Sequence, residues 1–120
     1  MSNITPTITK VDLDGNRSWL VKWLNLTTTA DTGLTVTLPA HSDRSVQIVG
    51  TFGAGGTIVI QGSNDGTNFK TLDDFQGNAL SFTTADLENI SQACYYIRPF
   101  ISGGDGTTDL SVYLLLNGAL

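Results

Sequence analysis

Along most of the chain apolar and polar side chains take turns, the period-two signature of strands half-buried in a sheet. Leu34-Thr-Val-Thr-Leu38 sets Leu34, Val36 and Leu38 on one side. Residues 45–52 do the same with Val46, Ile48 and Phe52, and residues 93–102 with Tyr95, Ile97 and Ile101. Residues 57–61 and 110–116 are further runs; 69–72 and 79–82 are shorter ones. Turn signals stand between them: Asp14-Gly-Asn16, Ala30-Asp-Thr-Gly33, Gly53-Ala-Gly-Gly56, Asp65-Gly66, Gly77-Asn78 and Gly103-Gly-Asp-Gly106. Gly accepts positive φ there, and Asn and Asp bond back to their own backbone.

Two segments are less plain. In Trp19-Leu-Val-Lys-Trp-Leu-Asn-Leu26 both sides are largely apolar, so the spacing fits a helix as well as a strand. Trp and Val favour the strand, with Trp19, Val21 and Trp23 on one face. Residues 83–90 form the best helical segment, with Thr84 as N-cap ahead of Leu87 and Glu88, long enough only for a connecting turn. With no crossover helix of useful length, parallel βαβ units are excluded. The expected fold is all-β, an antiparallel β-sandwich of jelly-roll or Ig-like topology. Residues 1–18 are expected to form an extended N-terminal arm and residues 19–120 a single β-sandwich domain. In the arm, Ile4, Pro6, Ile8 and Lys10 alternate with Thr5, Thr7 and Thr9. Pro6 suits an edge because it donates no ladder hydrogen bond.

The chain has 120 residues, enough for one domain with its own core. Cys94 is the single cysteine, so no internal disulfide can form, and it reads as a small apolar residue at a strand start. The net charge of −5, with only six Lys and Arg spread along the chain, argues against a binder of the phosphate backbone. Met1-Ser-Asn-Ile-Thr-Pro6 lacks the basic and apolar regions of a signal peptide, and no apolar run is long enough to span a membrane.

The chemistry-bearing residues do not converge. Asp12-Leu-Asp14-Gly-Asn16 approaches a calcium loop, but Arg17 stands where the loop needs Gly and Trp23 where it needs a bidentate Glu. Asn64, Asp65, Asn68, Asp73 and Asp74 could offer oxygens to a weak calcium site; the simpler reading is a pair of turns. His41, Ser42 and Asp43 are adjacent, whereas a triad draws its members from separate elements. The expectation is no enzyme, no cofactor and no metal. Arg98 stands between Tyr96 and Phe100 on one strand face, where it should stack on an aromatic ring or pair with an Asp.

Four segments carry a resemblance to a known group. Ser45-Val-Gln-Ile-Val-Gly-Thr-Phe52, Gln61-Gly-Ser-Asn-Asp-Gly-Thr-Asn-Phe69, Gln76-Gly-Asn-Ala-Leu-Ser-Phe82 and Tyr96-Ile-Arg-Pro-Phe-Ile-Ser-Gly-Gly104 resemble small structural proteins of tailed bacteriophages, of the head decoration or cement type. The resemblance spans about residues 44–117. It implies a β-sandwich on the head exterior of a virion that bridges major capsid protein subunits. Self-association as a dimer or trimer is a further expectation, and the charge and hydropathy of the chain set nucleic acid and membrane aside as partners. On that reading Ile4, Pro6, Ile8, Trp19 and Trp23 are candidate interface residues. The alternative is a carbohydrate- or receptor-binding module of a phage fibre or baseplate, with Asn64, Asn68 and Phe69 as glycan contacts.

Overall fold

The structure, a computed structural model, describes residues 3–10, 18–28, 32–33, 35–37 and 43–118. In chain order the strands are β1 (Asn3–Ile4), β2 (Thr7–Lys10), β3 (Ser18–Leu26), β4 (Thr32–Gly33), β5 (Asp43–Thr51), β6 (Thr57–Ser63), β7 (Lys70–Thr71), β8 (Ser81–Phe82), β9 (Asp86–Ile90), β10 (Tyr96–Gly103) and β11 (Asp109–Asn117). They form two sheets. One runs β2-β3-β11-β5-β9; the other runs β1-β4-β10-β6-β7, with β8 also on β6. All pairings are antiparallel except the two-residue β1–β4 contact.

This order is that of a jelly roll. Counting β7 and β8 as two halves of one strand position on β6, the sheets interleave first-eighth-third-sixth and second-seventh-fourth-fifth from β3 to β11. The topology that alternation left open between jelly roll and Ig-like is thereby decided. The N-terminal segment adds β1 to one sheet and β2 to the other, so its described residues lie along the sandwich edge.

The core lies between the sheets and follows the alternation. Val21 and Trp23 of β3, Val46 and Ile48 of β5, and Val112, Leu114 and Leu116 of β11 face Ile58, Ile60, Ile97 and Ile101 of the other sheet. Residues that follow one another along a strand take opposite faces, which leaves Leu20, Lys22, Tyr113 and Leu115 on the outside. In β3 the phase slips once. The three-residue step from Trp23 to Leu26 opposes the two-residue step from Val112 to Leu110, and Asn25 takes φ 62°. This bulge brings Leu26 back into the core while Leu24 and Asn25 face water. Asn is among the few residues with a side chain that enter the left-handed region at low cost.

The helical reading of residues 83–90 does not hold. Residues Asp86–Ile90 form strand β9, paired with β5 from Arg44↔Ile90 to Ile48↔Asp86. Distant backbone partners on β5 outweigh a weak local cap signal. Tyr95 precedes β10 and is 45% exposed, so it leaves the inward face kept by Ile97 and Ile101. The Asp14–Asn16 turn, the near-calcium loop, Leu34, Leu38, Pro39, His41 and Ser42 lie outside the described residues.

At one end of the sandwich Asp105 ties three segments, two through its carboxylate and one through its backbone carbonyl. Asp105 Oδ2 accepts from the Ala54 N–H at 3.0 Å, and its Oδ1 accepts from the Thr107 hydroxyl at 2.6 Å and the Thr107 N–H at 2.9 Å. The Thr28 hydroxyl donates to the Asp105 carbonyl at 3.4 Å. Thr107's hydroxyl first, then the Ala54 N–H, hold the Asp105 carboxyl down at about 2. Its folded value is below the unfolded one. The stability it contributes is therefore complete above the unfolded pKa of about 4 and lost as pH falls toward 2. Urea midpoints of the wild type should be level near neutrality and fall below pH ~4. Asp105→Asn should start lower at pH 7 and fall less steeply in acid; parallel curves would contradict this assignment.

Candidate interaction surface

The outer face of the six-stranded sheet is built around β10 and β6. Pairing Tyr96↔Ser63, Arg98↔Gln61 and Phe100↔Val59 places these side chains outward, while Ile97, Pro99 and Ile101 point into the core. Arg98 is held on two sides. Its guanidinium carbon sits 3.7 Å from the centre of the Phe69 ring, and its Nε donates to Gln61 Oε1 at 2.9 Å. Partial burial lowers the pKa of this guanidinium, which is still a cation at neutral pH. The expected stack is therefore present, but on Phe69, which arrives from the 64–69 loop, and not on Tyr96 or Phe100 of its own strand.

That loop is shaped by Asp65. Its Oδ1 accepts from the Ser63 hydroxyl at 2.7 Å and from the Thr67 and Asn68 N–H groups at 2.8 Å, and its Oδ2 accepts from Asn68 Nδ2 at 2.8 Å. Led by the Asn68 N–H, these donors hold the Asp65 carboxyl well below the usual carboxylate range. Gly66 turns with φ 77° and lies against the Tyr96 ring. Asn64 Oδ1 accepts from the Tyr95 N–H at 2.8 Å, pinning the loop to the start of β10, where Tyr95 and Tyr96 meet edge to face at 4.8 Å. The loop is thus a rigid platform that presents Phe69 to Arg98.

The other candidate residues are scattered. Asn64 commits its amide oxygen to the Tyr95 N–H and Asn68 its amide nitrogen to Asp65, and one face of Phe69 is covered by Arg98. Trp23 is 1% exposed and belongs to the core, which removes it from the candidate interface. Trp19 is half-buried and packs on that core, as does Ile4. Pro6 is half-buried; Ile8, opposite inward-facing Val21, is 47% exposed because it lies on edge strand β2.

The acidic residues that could have formed a calcium site are occupied by donors instead. Asp74 Oδ1 accepts from the Gln76 and Asn78 N–H groups, and Asp73 Oδ2 from Gln92 Nε2. Among the described residues no group of three or more His, Cys, Asp or Glu stands close enough to hold a metal. A shallow cleft of about 220 Å³ is lined by Thr28, Ile101, Ser102, Gly103 and Gly104. Buried Arg44 donates through Nη1 to the Cys94 carbonyl at 2.9 Å, while the half-buried Cys94 thiol donates to the Tyr96 carbonyl at 3.2 Å. Sequence reasoning located Arg98 by strand phase; Gln61 and the Arg44–Cys94 contact carried no local signal.

No protein-family model matches the chain, and no curated protein matches it by sequence. Its fold is similar to that of YomS, a protein derived from the SPBc2 prophage. The TM-score is 0.58 at 10% identity, over 88% of this chain and 98% of that one. NMB1881 from Neisseria meningitidis gives 0.40 at 10% identity, over 95% of this chain and 82% of that one, which is too low to support an argument. At 10% identity the YomS likeness establishes a shared fold.

Proposed function

We propose that this chain is a virion structural protein of a tailed phage, a decoration protein that binds the outside of the head and bridges capsid subunits. The observation that carries the reading is the sandwich shared with a prophage-derived protein over nearly the whole of both chains. The resemblance of residues 44–117 to head decoration proteins narrows it from phage protein to head exterior. The partner is the major capsid protein, and the chain acts as a dimer or trimer. A protein that binds only the expanded shell stabilises it by mass action, and contacts repeated by symmetry add through avidity. The described arm offers edge strand β2 and exposed Ile8 to such a partner. In this role the domain is a clamp and not a catalyst.

The test is add-back to heads of the encoding phage that lack the protein. The wild type should saturate regularly spaced sites and raise the temperature at which the heads release DNA. Deleting residues 2–12 should reduce occupancy; full occupancy by that variant would remove the arm from the mechanism. No uptake of the wild type would remove the head from it. The glycan-module reading has no comparable support, since Arg98 already covers one face of Phe69.

A further inference from the structure

We infer that the outer face of the six-stranded sheet is a docking surface for a protein carboxylate, gripped by Arg98. The inference rests on the proposed function for the identity of the partner, which is the head shell. Arg98 is immobilised by Phe69 below and Gln61 beside it, through the ring and Nε alone. Neither terminal nitrogen bonds to a carboxylate among the described residues. The cation therefore holds out a pre-oriented fork whose conformational entropy is already spent, which is the condition for tight bidentate recognition.

The surroundings select the ligand. Val59, Gln61, Tyr96 and Phe100, the outward neighbours of Arg98 on β6 and β10, are uncharged. A polyanion such as nucleic acid needs several cations along its track, and this face has one among its β6 and β10 positions. A neutral sugar would leave the guanidinium fork unused. A single Asp or Glu carboxylate fits both the fork and the charge, and apolar atoms flanking it would cover Phe100 and Val59. An Arg ringed by aromatic side chains is also the composition of an interface hot spot. In a chain with net charge −5, the one cation among the β6 and β10 positions of this face is the natural point of attraction for an acidic partner.

The experiment titrates undecorated heads with wild type, Arg98→Ala, Arg98→Lys and, on the opposite sheet, Lys22→Ala. Circular dichroism and the thermal midpoint of each variant confirm folding. Arg98→Ala should weaken binding by about 30-fold or more, the scale of a hot-spot residue. Arg98→Lys keeps the charge and the packing volume but loses the fork, and should recover only part of that loss. Lys22→Ala should bind as the wild type does. Affinity of the wild type should fall as salt rises, with a shallower dependence for Arg98→Ala. Wild-type binding matched by both Arg98 variants would overturn the inference and leave the function standing. Heads that take up no wild type would overturn both. Sedimentation showing that the wild type self-associates and Arg98→Ala does not would reassign the face to contact between copies, also against the inference.

Discussion

Replacing Trp23 with alanine is expected to destabilise the domain by about 3–5 kcal/mol, the cost of emptying a large aromatic site in a packed core. Trp23 is 1% exposed on the inward face of β3, and Val112 is its neighbour on β11. Its removal leaves a void that rigid strands on both sides cannot close. A domain of this size has only about 5–15 kcal/mol in total, so the variant should be partly unfolded under mild conditions. Urea denaturation would show the midpoint lowered with the slope unchanged. The result separates the two roles the residue could have had. A stable variant that fails to bind heads would return Trp23 to the interface.

Gly50→Ala is expected to cost about 3 kcal/mol or more, from two sources that add. Gly50 has φ +123°, a conformation costly for any L side chain. A Cβ there would also run into the carbonyl oxygen of Asp109 and lie 3.1 Å from Leu110 Cα. Both obstacles are backbone of β11, the strand at the centre of the five-stranded sheet, paired Leu110↔Gly50. No side-chain rotation relieves the contact, so β5 and β11 must separate locally. The melting midpoint should fall by about 10 °C or more. Gly77→Ala provides the contrast: its φ is +84°, yet nothing lies within 4 Å of the added carbon, so only backbone strain remains. Equal shifts for the two variants would contradict the close approach at Gly50.

Much of the sandwich was legible because alternation is a local property that burial obeys. Val46 and Ile48, Ile97 and Ile101, and the Gly-rich hairpins around them could be placed from spacing alone. What spacing could not supply was pairing across the chain. Strand β9 looks like a capped turn until β5 claims it, since its polar Asp86, Glu88 and Asn89 carry no strand signal of their own. The direction of the faces was equally hidden. Trp19, Val21 and Trp23 do share a side, but Leu20 and Leu24 opposite them are just as apolar, so nothing local says which side is the core. Arg98 was found by its phase on β10. Its true partner, Phe69, lies across a loop whose shape depends on four hydrogen bonds to one carboxylate.

The two outer faces now carry different expectations. One presents Arg98 on a fixed aromatic seat; the other presents Leu20, Tyr113 and Leu115 with Lys22 among them. The central claim is that this sandwich sits on the outside of a phage head. Electron cryomicroscopy of the purified virion tests it most directly. The account predicts symmetry-repeated density on the head exterior into which the jelly roll fits, with the Arg98 face against the shell. A head surface without that density, or the same density found only on the tail, would contradict it.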